Sequence, residues 1–204
     1  MSFDLSVIPH KNILLAVTGG IAAYKSAILV RRLKDFGFDV RVVMTQGAQA
    51  FITPLTFQAL SGNPVHTELL SPEAEAGMGH IELARWADLV LVAPASCDSI
   101  AKFAHGLADD LLSTLYLATN APVWVAPAMN QQMWAAKATQ RNLKTLVEDG
   151  VHVIMPDAGE QACGDVGLGR MPEPEDLARQ VAAYFHQQQR ELAEKFGLLA
   201  GKNV

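Results

Sequence analysis

The 204-residue sequence predicts an α/β fold with a doubly wound parallel sheet, Rossmann-like, on two observations. First, five short runs, NILLAV (12–17), DVRVVM (39–44), DLVLVA (88–93), PVWVA (122–126) and VHVIM (151–155), are apolar and β-branched almost without interruption. Strands that apolar suit burial on both faces, as in a parallel sheet with helices above and below. Second, helical stretches lie between them. AAYKSAILVRRLKDFG (22–37) and QQMWAAKATQRNLKTLVEDG (131–150) carry apolar residues at helical spacing, and each stops at a glycine, Gly37 and Gly150. Strand, helix, strand repeated is the signature of parallel pairing.

Composition narrows the function classes. Half of the chain, 50%, is hydrophobic, so one domain can bury a full core. Two cysteines are too few for a disulfide framework, and MSFDLSVIPH has neither the basic opening nor the apolar run of a secretory signal. A cytoplasmic protein with reduced thiols is expected. No stretch approaches the roughly 20 apolar residues of a membrane span. A net charge of −5 with scattered lysines offers nucleic acid no basic face, so neither membrane nor nucleic acid is an expected partner. The histidines and cysteines do not fall at spacings that gather three or four metal ligands, and no metal is expected.

In open α/β sheets ligands bind beyond the carboxyl ends of the strands, so the turns leaving each run are where chemistry is sought. The first leaves through VTGGIAAYK, where Gly19 and Gly20 let backbone approach a ligand and the following helix offers free N–H groups to an anion. It is not a G-x-G-x-x-G fingerprint, and a plain tight turn accounts for two glycines equally well. The second leaves through MTQGAQAF, with Thr45 beside Gly47. The third, APASCDSIAKF, places Ser96 and Ser99 around a helix start, where either serine also serves as an N-cap without any ligand. Taken together, three such turns fit a phosphorylated aromatic cofactor. The fourth run ends in APAMNQQMW, and QACGDVGLGRM (161–171) sets Cys163 among glycines, unlike a cysteine kept for packing.

TGGIAAYK, AFITPLTFQALSG, MGHIELARWADLVLVAPAS, PAMNQQMW and ACGDVGLGRM, in this order from about Lys11 to Ala183, resemble the flavin-containing cysteine decarboxylase family, the phosphopantothenoylcysteine decarboxylases in particular. The resemblance implies a Rossmann-like flavoprotein with FMN as cofactor. It implies cofactor contacts from Gly19, Gly20, Ile21, Thr45, Gln46, Gly47, Phe51, Ser96, Cys97, Asp98, Ser99 and Ala128. The implied reaction turns 4′-phosphopantothenoylcysteine into 4′-phosphopantetheine: the thiol is oxidised to a thioaldehyde, CO2 leaves, and the enethiolate is reduced. A carboxylate beside an amide-bearing carbon cannot otherwise leave, because its electron pair has nowhere to go, and the cofactor carries that step.

Three catalytic roles follow from the resemblance. Cys163 donates a proton to the enethiolate, since a thiol of pKa about 8.5 is protonated at neutral pH. Asn130 offers its amide to the substrate carboxylate, with helix capping as the alternative. His80 accepts the thiol proton or stabilises the thiolate, with a structural histidine as the alternative. Met133 lines the substrate pocket, while Cys97 has a backbone role only. His66, His105, His152 and His186 carry no matching motif.

The resemblance further implies a homo-oligomer: trimers holding FMN and substrate between subunits, and dodecamers of four trimers. LLAGKNV (198–204) resembles the opening of a synthetase half. Residues 1–190 are therefore expected to form an FMN-binding decarboxylase domain, and 191–204 a linker and the start of an absent synthetase domain. A naturally short protein is the alternative. Two other functions stay open, a flavin prenyltransferase of related fold and a catalytically silent FMN-binding regulator. The first would lack PAMN and ACGD, and the second carries long acidic extensions.

Overall fold

The apolar runs become strands whose side chains alternate between two cores. The computed structural model describes residues 10–69, 79–160, 162 and 164–195. Among them are strands β1 (Asn12–Val17), β2 (Asp39–Met44), β3 (Val65–His66), β4 (Leu89–Ala95), β5 (Val123–Pro127), β6 (His152–Val153), β7 (Asp157–Glu160) and β8 (Val166–Arg170). The helices are α1 (Ala23–Asp35), α2 (Gln46–Gln49), α3 (Pro54–Ser61), α4 (Gly79–Trp86), α5 (Cys97–Ala104), α6 (Leu111–Ala118), α7 (Gln131–Ala135), α8 (Lys137–Glu148) and α9 (Pro174–Lys195).

Six parallel strands form one sheet in the order β3-β2-β1-β4-β5-β6. The chain enters at β1, runs outward through β2 and β3, then crosses to β4 on the other side of β1. The gap beyond the ends of β1 and β4 is thus the topological switch point, where such sheets bind ligands.

Successive strand residues point to opposite faces. On one face Ile13, Leu15 and Val17 of β1 join Leu89, Leu91 and Ala93 of β4 beneath α1 and α9. On the other, Leu14, Ala16, Val90 and Val92 pack under α4, α5, α6 and α8. In α9 the stripe Leu177, Val181 and Phe185 is buried, each such side chain contributing about 1.5–3 kcal/mol. Its first three turns thereby belong to the folded unit.

Several features depart from the sequence reading. The stretch 131–150 is two helices, because Ala136 is extended (φ −59, ψ 133). The break frees the Trp134 carbonyl, which accepts from Gln140 Nε2 at 2.6 Å. Run 151–155 contributes only His152 and Val153 to the sheet edge, and β3 is a two-residue strand without a propensity signal. The glycine-rich segment around 161–171 contributes strand β8, which pairs antiparallel with β7 as a hairpin. No helix among the described residues is long and apolar enough to cross a membrane.

The link from α5 to α6 is electrostatic. Asp110 caps α6 by accepting from Ser113 N at 2.7 Å, and its carboxylate also receives Lys102 Nζ at 2.9 Å. Burial alone pushes the Asp110 carboxyl up, but the hydrogen bonds from the Ser113 backbone and Lys102 outweigh it and leave the pKa below the ordinary aspartate value. A lowered pKa stabilises the fold above the usual carboxylate range, and that stabilisation disappears as pH falls through the folded-state value. Asp110→Ala is expected to cost about 1–2 kcal/mol in denaturant unfolding at pH 7, with the difference from the parent shrinking near pH 3.

Candidate active site

Four strand-end turns converge beyond the switch point. Thr18, fully buried at the end of β1, donates from Oγ1 to the Pro94 carbonyl at 2.7 Å. The same oxygen accepts from Ser96 N at 2.8 Å. Ser26 adds a second tie, from α1 to the Ala93 carbonyl at 2.7 Å. Thr45 joins the second turn to the first through its N–H to the Val17 carbonyl at 3.1 Å, and its hydroxyl caps α2 by accepting from Ala48 N. Gly19 and Gly47 then meet backbone to backbone: a Cβ on Gly19 would lie 3.0 Å from the Gly47 carbonyl carbon. No side chain fits between these turns.

Ser96 is the N-cap of α5, accepting from Ser99 N at 3.2 Å. Its capping role and its place at the cavity wall coexist. Cys97 is partly buried, with Sγ 3.1 Å from Met129 Sδ and 3.6 Å from Thr139 Oγ1. At the end of β5, Ala128 N donates to the Ala95 carbonyl and Met129 N to the Gly169 carbonyl of β8, at 3.1 and 2.9 Å. Asn130 caps α7, its Oδ1 accepting from Gln132 N at 2.8 Å, and its Nδ2 donates to Asp165 at 2.9 Å.

Between these turns and the hairpin lies a cavity of about 660 Å³, within the range of small-molecule sites. Of the residues singled out from the sequence, Gly19, Gly20, Ile21, Ser96, Cys97, Ala128, Asn130 and Met133 line it. Thr45, Gln46, Gly47, Phe51, Asp98 and Ser99 stand in the adjoining turns and are not among its lining residues. His80 sits on α4, also outside the lining. Cys163 lies outside the described residues.

The wall also contains residues that the sequence reading passed over, chiefly Tyr24, Lys25, Glu160 and Arg170. Lys25 is 6% exposed, and its ammonium is held by the Met171 carbonyl at 2.9 Å and Glu173 Oε1 at 2.8 Å. A signal for it exists: Lys25 falls four residues before Leu29, on the stripe of α1 that faces the sheet. A charged side chain buried on such a stripe is almost always paired.

The flavoprotein family profile matches residues 5–186, most of the chain. The chain belongs to the flavoprotein family. A coenzyme A biosynthesis bifunctional protein, CoaBC, of Vibrio vulnificus is 59% identical over 181 residues, 89% of this chain and 45% of that protein. The chain thus spans about half the length of the curated relatives it matches. Among solved structures, a PPC decarboxylase cysteine-to-serine variant complexed with pantothenoylaminoethenethiol superposes with a TM-score of 0.77 at 34% identity, covering 87% of this chain and all of that one. The FMN-binding protein AtHal3 superposes at 0.75 with 34% identity, over 88% and 98% of the two chains. This flavoprotein therefore has the doubly wound architecture expected from its strand runs.

The two first-turn glycines do different work. Gly19→Ala must push Gly47 backbone aside, and overpacking of that kind costs about 1–3 kcal/mol. Gly20→Ala meets nothing within 4 Å and narrows only the cavity. Thermal denaturation is expected to show a clear loss for Gly19→Ala and none for Gly20→Ala, while flavin retention falls in both.

Proposed function

We propose that the chain is an FMN-dependent decarboxylase converting 4′-phosphopantothenoylcysteine to 4′-phosphopantetheine. The observation that carries this reading is the meeting of the glycine turn, Asn130 and the β7–β8 hairpin around one cavity. The family and the two structural relatives add support.

The residues present fit the cofactor. Gly20 leaves the space a Cβ would fill, and the α1 amino end lies beside it, suited to an anionic phosphate. Gly19, Gly20, Ile21, Ser96, Cys97 and Ala128 would hold FMN, with Thr45, Gln46, Gly47, Phe51, Asp98 and Ser99 shaping the turns behind them. Bound FMN supplies a two-electron oxidation of the substrate thiol and returns those electrons after CO2 has left.

The chain's own side chains do the rest. Asn130 orients the substrate carboxylate through its amide, and because a neutral donor holds that group less tightly than a cation would, little is lost as it becomes CO2, so the contact positions the substrate at small cost to the barrier. Met133 borders the same space. Lys25, fixed by Met171 and Glu173, keeps a positive centre in the wall beside an anionic substrate. Cys163 delivers the proton to the enethiolate once CO2 has departed. His80 takes the thiol proton at a site of a neighbouring subunit, a reading supported by its place on α4 away from this chain's own cavity.

The exposed apolar side chains Ile21, Tyr24, Phe51 and Leu55 support a homo-oligomer, in this reading a trimer. Residues 1–190 form the decarboxylase domain and 191–204 lead toward a synthetase domain of the same polypeptide, a reading supported by the length of the bifunctional relative. The cytoplasm is the compartment proposed. A flavin prenyltransferase or a silent regulator is not favoured, because PAMN and ACGD both stand in the chain.

The test is single turnover with the FMN-loaded protein. Wild type is expected to release CO2 and 4′-phosphopantetheine in equal amounts. Cys163→Ser is expected to release CO2 without 4′-phosphopantetheine, because an alcohol is a far weaker acid than a thiol. Normal product formation by the variant removes Cys163 as the donor, and no CO2 from wild type sinks the reaction itself.

A further inference from the structure

The geometry points to Asp165 as an internal competitor for the substrate's carboxylate, a positioning residue that holds the Asn130 amide until a carboxylate-bearing ligand displaces it. The inference rests on the decarboxylase reading and deepens it.

The orientation of Asn130 is set by the helix it caps. Its Oδ1 accepts from Gln132 N at 2.8 Å, which identifies the oxygen end of the amide and turns Nδ2 toward the hairpin. There Nδ2 donates to Asp165 Oδ2 at 2.9 Å. Asn130 also lines the cavity. The donor that a substrate carboxylate would use is therefore already engaged by a carboxylate of the chain. The amide nitrogen carries two hydrogens, but two carboxylates gathered around one nitrogen repel each other, so Asp165 and a substrate carboxylate compete for it.

The hairpin has docking contacts besides Asp165. Met129 N donates to the Gly169 carbonyl at 2.9 Å, and Gly167 packs so closely on the Gln131 side chain that no Cβ fits. Removing the Asp165 carboxylate leaves both contacts in place. The side chain is also exposed, so its alternative state is hydrated and inexpensive to reach. The bond can thus weaken carboxylate binding without blocking it. Ligands that lack a carboxylate leave it intact. When CO2 departs, Asp165 can reclaim Asn130, and the decarboxylated product keeps no hold on that amide.

The experiment compares two inert probes on the FMN-loaded protein by calorimetry. One is 4′-phosphopantothenoylserine, which has the carboxylate but no thiol to oxidise. The other is its counterpart without the carboxylate. Asp165→Ala is expected to tighten the serine probe roughly three- to tenfold, the scale of one partly exposed charge-assisted hydrogen bond, and to leave its counterpart within roughly twofold. Asp165→Asn, which keeps a neutral acceptor, should fall between, and it becomes the deciding variant where Asp165→Ala melts well below wild type.

A merely structural Asp165 would shift both probes by one common factor, and that result, or no shift in either, overturns the inference. An unchanged ratio in a protein that still releases CO2 from 4′-phosphopantothenoylcysteine overturns the inference alone. A wild type that binds neither probe and releases no CO2 overturns the decarboxylase reading as well.

Discussion

Thr18 is fully buried where β1 ends, and its hydroxyl donates to the Pro94 carbonyl at 2.7 Å while accepting from Ser96 N at 2.8 Å. The two strands it joins are those from which the sheet winds in opposite directions. A buried polar group left without its partner costs about 1–3 kcal/mol. Removing that one oxygen takes a partner from two groups, the Ser96 N–H and the Pro94 carbonyl. One wall of the cavity is referred to this junction. Ser96 caps α5 from it, the first turn leaves from it toward Gly19 and Gly20, and Gly47 closes against Gly19 from the neighbouring strand.

The opposite wall is built differently. Asn130 and Met129 follow β5, and the hairpin β7–β8 is laid over them through a backbone hydrogen bond, a glycine contact and a side-chain pair. The rigid sheet end suits a cofactor that must stay in place. The hairpin wall carries the exposed Asp165, which suits the exchange of partners proposed for it. One side chain, Asn130, joins the two parts of this wall: its oxygen is fixed by α7 and its nitrogen meets Asp165.

Much of this was legible because strands β1, β4 and β5 are buried on both faces and β2 nearly so, so their sequences are apolar almost throughout and announce themselves. The glycine turns and the serine pair were legible for a related reason, since small residues after a strand have few other uses. What was hidden depends on tertiary contact. Thr18 reads as one more turn residue until Pro94 and Ser96 are seen against it. Lys25 reads as a solvent-facing lysine until Met171 and Glu173 close around it. The hairpin was hidden because DAGE and VGLGR carry no alternation, and Gly159 and Gly169 sit at φ 154 and 136, conformations that mask a strand signal. The break at Ala136 carries neither glycine nor proline to mark it.

The hydroxyl bridging β1 and β4 organises the flavin site. The direct measurement is the dissociation constant of FMN from Thr18→Val and Thr18→Ser, read by fluorescence quenching on refilling the apoprotein, with circular dichroism confirming that each variant is folded. The isosteric valine is expected to weaken FMN at least tenfold, about 1.4 kcal/mol, and serine, which keeps the oxygen, to stay within about threefold of wild type. A folded Thr18→Val protein that binds FMN as tightly as wild type would contradict the account.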